Sequence, residues 1–97
     1  MYLYNVSIII EDSIHQDLFA WTKKILQENQ DSEIKLLKML HSPYEGQTYC
    51  LQAVVNDENE INQIKEKVIQ KIQDYITKNH GEKAFLFDSI MQYIPHN

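Results

Sequence analysis

The sequence predicts an α+β domain in the order strand, helix, strand, strand, helix, strand. Three observations carry this. Residues 2–10 and 48–55 alternate with period two, and two intervening stretches repeat apolar residues at helical spacing. A Pro- and Gly-bearing turn, Ser42-Pro43-Tyr44-Glu45-Gly46-Gln47, divides the two middle strands. Two right-handed crossovers on one antiparallel sheet put both helices on the same face. That arrangement is the ferredoxin-like plait, βαββαβ, and residues 1–97 are expected to form one such domain.

In the first strand, residues 2–10, Tyr2, Tyr4, Val6, Ile8 and Ile10 share one face, and Asn5 and Ser7 lie on the other. Leu3 and Ile9 make that second face apolar too. The helix that follows opens with Ser13 and Gln16 at the spacing of a capping box, where each side chain answers an unpaired backbone N–H. Ile14, Leu18, Trp21 and Ile25 form its core stripe. Phe19 and Leu26 lie off the stripe beside His15 and Thr22, either as the edge of a wide core face or as a surface for a larger assembly. The helix is expected to fray over residues 27–30, with Asp31-Ser32 as linker.

Residues 33–41 read as a second, weakly alternating strand. In the third, residues 48–55, Tyr49, Leu51, Ala53 and Val55 oppose Thr48, Cys50 and Gln52. Asp57 caps the second helix and Glu60 completes its box. Ile61, Ile64, Val68, Ile69, Ile72, Tyr75 and Ile76 fall on one side of it, and Gly81 stops it. A last strand takes residues 83–94, ahead of Pro95.

Several absences restrict function. Nine Lys, no Arg and fourteen Asp and Glu leave a formal charge of −5, which opposes nucleic-acid binding. A plait that cradles phosphate in the acylphosphatase manner needs an Arg. Metal chaperones of this fold need paired cysteines and iron–sulfur ferredoxins four, whereas Cys50 is alone. An RNA-recognition sheet needs aromatics flanked by basic residues, which Thr48-Tyr49-Cys50-Leu51-Gln52 does not supply. There is no Gly-rich phosphate loop. No signal-peptide pattern opens the chain, and no apolar run approaches the ~20 residues of a membrane span. A reduced, cytoplasmic protein without metal or cofactor is expected.

Tyr4-Asn5-Val6-Ser7, Ile14-His15, Trp21, and Gly81-Glu82-Lys83 with Phe87 resemble a family of short bacterial proteins, the domain of unknown function 4286. The resemblance runs over most of the chain and is specific at the first strand and helix. It implies a ferredoxin-like plait close to the dimeric α/β-barrel proteins, and it implies no reaction. Members usually carry a Pro- and Gly-containing stretch where this chain has Gln27-Glu28-Asn29-Gln30-Asp31, and an Arg where it has Asp88.

His15, beside Glu11, Asp12 and Asp17, is either a general base tuned by carboxylates or a solvated residue at a helix start. His41 decorates a turn, His80 suits the negative end of the second helix, and His96 lies in the tail. No two of the four have metal-ligand spacing. Asn5 and Ser7, beside Thr48, Cys50, Gln52 and Ser89, either line a small ligand pocket with Tyr4 or satisfy one another. Asn5 also matches the first-strand Asn of haem-degrading dimeric-barrel monooxygenases, whose Trp and His have no counterparts here. Trp21 is expected in the core and Cys50 as a small buried hydrophobe. Asp88, among Phe87 and Ile90, is either buried and perturbed or left in water at a strand edge.

A sheet that is apolar on its open face needs a lid, and the simplest lid is a second copy about a twofold axis. The expected protein is therefore a homodimeric, non-enzymatic module that binds a small molecule or another protein. The alternative is a cofactor-independent enzyme of the dimeric α/β-barrel class, monooxygenase- or isomerase-like, acting on an apolar or aromatic metabolite. Asn5, Tyr4, His15 and Asp88 would then work together in one pocket.

Overall fold

The computed structural model describes residues 1–96. It comprises β1 (Tyr2–Ile10), α1 (His15–Glu28), β2 (Lys35–Lys38), β3 (Gln47–Val55), α2 (Glu58–Ile64), α3 (Gln70–Asn79) and β4 (Ala84–Gln92). The sheet order is β2-β3-β1-β4, and every neighbouring pair is antiparallel. This is the ferredoxin-like plait.

The pleat of β1 sends alternate side chains to opposite faces. Tyr4, Val6, Ile8 and Ile10 are each 1% exposed and join Leu51, Ala53 and Val55 of β3 in a core beneath the helices. Burying four large side chains from the central strand contributes on the order of 1.5–3 kcal/mol apiece, so β1 anchors the fold.

A π-helical segment, Lys65–Ile69, joins α2 to α3. The apolar spacing explains it. Ile64, Val68, Ile72 and Ile76 recur every four residues, and a regular α-helix would rotate such a series by about 40° per step. One wider turn absorbs the drift. All four stay within 5% exposure.

Local details depart from expectation for identifiable reasons. The first helix has no capping box: a 3₁₀ turn, Asp12–Ile14, precedes α1, and Ser13 Oγ donates to Glu11 Oε1 at 2.8 Å. The buried stripe of α1 is Leu18, Thr22 and Ile25, while Trp21 is half-buried and stacks on Tyr75 with ring centroids 4.3 Å apart. Thr22 is small enough to sit under the helix, and the indole fills the gap between helices instead. At α2, Asp57 accepts from Glu60 N at 3.0 Å, but Glu60 accepts from Asn56 N at 2.7 Å, one residue ahead of the box position.

β2 is four residues long instead of nine. Glu33 takes a left-handed φ of 52° and turns the chain away before Lys35. Past Lys38 the hairpin departs, with Met39 N donating to Thr48 O at 2.9 Å. Gly46 (φ 84°) closes this hairpin directly against the Ile10 carbonyl oxygen, where no Cβ has room. β3 begins one residue early, at Gln47, and β4 stops at Gln92, short of the expected end.

Candidate functional site

The face of the sheet away from the helices is built from the odd positions of β1, namely Leu3, Asn5, Ser7 and Ile9. Register places Cys50, Gln52 and Val54 on one side of them and Phe85, Phe87 and Met91 on the other. Val54, Phe85 and Phe87 are each more than half exposed, and Leu37 and Met91 nearly so. Lys35 is the one charged residue among the strand positions of this face.

A polar chain crosses its centre. Gln52 Nε2 donates to Asn5 Oδ1 at 3.0 Å, Asn5 Nδ2 donates to Ser7 Oγ at 3.3 Å, and Cys50 Sγ lies 3.7 Å from that hydroxyl. These groups therefore spend hydrogen bonds on one another. Cys50 is half-buried beside Ser7, not sunk in the core. Thr48, in β3, is buried instead and bonds to the hairpin loop, its Oγ1 2.8 Å from Ser42 Oγ. Toward one end, Leu3, Ile34, Lys35, Gln52, Val54 and Tyr93 line a groove of about 550 Å³.

Tyr4 lies on the opposite side of the sheet from Asn5, Ser7 and Gln52. Its hydroxyl donates to Asp88 Oδ2 at 3.0 Å, and Lys65 Nζ stands 3.9 Å from the same oxygen. Burial, reinforced by the Asp88 hydrogen bond and charge, holds the Tyr4 hydroxyl far above the usual phenol range. Asp88 sits on edge strand β4 with its side chain 49% exposed, so of the two expectations the solvated one describes it.

His15 does not face the carboxylates next to it in sequence. Its Nε2 and the Tyr49 hydroxyl share a hydrogen bond of 2.7 Å, and its ring stacks with Phe19 and Tyr49. Burial raises the Tyr49 hydroxyl above its ordinary value. Asp17 turns the other way, accepting from Tyr75 Oη at 2.7 Å and meeting His80 Nε2 at 2.8 Å. Those two hydrogen bonds lower its carboxyl, and the same contact raises Tyr75. His80, at the C-cap of α3 as expected, also ties that helix to α1. His41 and His96 are exposed.

Asn5, His15 and Asp88 occupy three separate places: the open face, the start of α1 against β3, and the helix side of β4. Sequence reasoning missed Lys65 as the partner of Asp88 and Tyr49 as that of His15, and it set Asp17 beside His15 where the structure turns it to Tyr75 and His80. The alternation of β1 assigns each residue to a face, but cross-strand and helix–strand neighbours depend on register. Among the described residues no cluster of three or more His, Cys, Asp or Glu could hold a metal ion, and no helix is long and apolar enough to cross a membrane.

Fold and site together define a small α+β domain of ferredoxin-like type. Residues 1–94 match the Domain of unknown function (DUF4286) family, and the chain belongs to it. No curated protein matches the sequence significantly. The de novo designed protein Foldit4 is similar in structure at TM-score 0.62 and 8% identity, covering 96% of this chain and 98% of that one. A dabb family protein with a ferredoxin-like fold from Mesorhizobium loti is similar over 100% of both chains, at TM-score 0.54 and 10% identity. The apo form of CPII from Thiomonas intermedia K12, a nitrogen regulatory PII-like protein, follows at TM-score 0.49 and 14% identity, over 96% and 92% of the two chains. At such identities the likeness to Foldit4 and to the dabb family protein speaks for the fold and for nothing finer.

Proposed function

We propose that the protein is a non-enzymatic binding or interaction module that works as a homodimer closed through the open face of its sheet. The observation that carries this is the makeup of that face. Phe85, Phe87, Val54 and Met91 stand exposed around a polar chain already bonded to itself, with Lys35 the lone charge among the strand positions. Sheet geometry, with ~4.8 Å between strands and ~3.4 Å rise per residue, gives this face roughly 450 Å² in projection. Side-chain relief raises its accessible area towards the ~800 Å² per partner of a stable interface. An apolar face of that extent is a liability in water unless it is covered.

The separation of Asn5, His15 and Asp88 favours binding over catalysis, because general acid–base work needs its groups within hydrogen-bond reach of one reacting atom. Among the described residues the side chain bonded to Cys50 is the Ser7 hydroxyl, which is not a base that would activate the thiol.

Sedimentation equilibrium at micromolar concentration is expected to give the mass of two chains. Phe87→Glu, which puts a charge in the middle of the contact without touching the core, is expected to give the mass of one while leaving the circular dichroism spectrum intact. A wild-type protein that sediments as a single chain overturns the proposal.

A further inference from the structure

On the helix side of the sheet, between the π-helical segment and β4, lies a cleft of about 290 Å³. Val6, Ile69 and Leu86 give it an apolar part, and beside Tyr4, Gln70 and Gln73 its polar part holds two opposite charges, Lys65 and Asp88. We propose that this cleft binds a small zwitterion, an α-amino acid with an aliphatic side chain.

Three observations meet there. The first is the spacing of the charges. Lys65 Nζ and Asp88 Oδ2 are 3.9 Å apart, too far for a hydrogen bond, and both side chains are about half exposed (44% and 49%). An ion pair so open adds little to folding, and both groups keep hydrogen-bonding positions that a ligand can reach without separating them. An α-amino acid carries its ammonium and carboxylate one carbon apart, so it presents the complementary charges at similar spacing. Its carboxylate meets Lys65 and its ammonium meets Asp88.

The second is the support behind Asp88. The buried Tyr4 hydroxyl donates to Oδ2 at 3.0 Å, which holds the carboxylate in place and leaves Oδ1 for a ligand ammonium. Lys65 Nζ also lies 5.8 Å from the Tyr4 ring centroid, so the same tyrosine helps to position the ammonium that meets the ligand carboxylate. The third is the size and lining. The volume lies just under the roughly 300–1,000 Å³ of sites for drug-sized ligands. It suits an aliphatic side chain laid on Ile69 and Leu86. The wide turn that places Lys65 and Ile69 on this wall is the π segment, a feature frequent at functional sites.

The cleft is on the opposite side of the sheet from the face proposed to dimerise. The two proposals therefore fail separately: a monomeric protein can still bind here, and a dimer can leave the cleft empty.

The test is an NMR titration of the full chain with L-leucine, with leucinamide, which lacks the carboxylate, and with 4-methylpentanoate, which lacks the ammonium. Leucine is expected to shift the amides of Ile69, Gln73 and Leu86 saturably, and each analogue to bind about tenfold more weakly. In Asp88→Asn, which keeps an acceptor for Tyr4, leucine and 4-methylpentanoate are expected to bind equally. In Lys65→Gln, leucine and leucinamide are expected to do so. No saturable shift, equal binding of the three compounds to the wild type, or shifts centred on Phe87 and Val54 would overturn the assignment.

Discussion

Thr22 carries a hydroxyl into the core where, among the described residues, its oxygen finds no hydrogen-bond partner. A buried polar group without a partner costs free energy that an apolar replacement recovers. Thr22→Val is therefore expected to raise stability by about 1 kcal/mol, read as a higher urea midpoint; a lower midpoint would mean that the hydroxyl is bonded after all. Gly46 makes the opposite case. Its positive φ and the Ile10 carbonyl oxygen against it leave no space for a Cβ, whereas Gly81, also at positive φ, has open surroundings. Gly46→Ala should cost roughly 1–3 kcal/mol and more than Gly81→Ala does, as denaturant titration of the pair would measure. Equal costs would place the penalty in φ alone. At this scale the sequence was readable where local pattern decides. The alternation of β1 separates Tyr4 from Asn5 without any structure. It did not reveal that Thr22 displaces Trp21 from the core, because that depends on how closely α1 approaches the sheet.

Elements hold one another through a few polar links between helices. Asp17 on α1 receives Tyr75 and His80 from the end of α3. The hydrogen bonds lower the folded-state pKa of Asp17 below its ordinary 3.8. A depressed carboxyl contributes stability that is present above the unfolded pKa and is lost as pH falls through the folded one. The stability gap between wild type and Asp17→Asn is thus expected to hold near pH 5 and to close as pH drops below about 4. Urea midpoints across that range would check it, and a gap unchanged down to about pH 2 would refute the link. The element order and both helices were legible from periodicity. β2 was not, because Glu33 and the hairpin shorten it through backbone geometry that composition does not encode. The π segment was implicit in the four-residue spacing from Ile64 to Ile76, a signal that an average arc of apolar residues conceals.

For the whole molecule, the plait has one satisfied face and one unsatisfied one. Helices cover Tyr4, Val6, Ile8 and Ile10, and among the described residues Val54, Phe85 and Phe87 stay more than half exposed. The apolar character of both faces could be read from Leu3 and Ile9 in the sequence, and so could the exclusion of Arg-dependent phosphate sites and paired-cysteine metal sites. The cleft at Asp88 was not readable, since Lys65 is distant in sequence and reaches it only through the helix crossing. The central claim is that a twin chain supplies the missing cover. Its most direct test is an isotope-filtered NOE experiment on a mixture of labelled and unlabelled chains. The account predicts intermolecular contacts at Leu3, Val54 and Phe87 and none at Trp21 or Gln73; contacts confined to the helix side, or no intermolecular contacts at all, would contradict it.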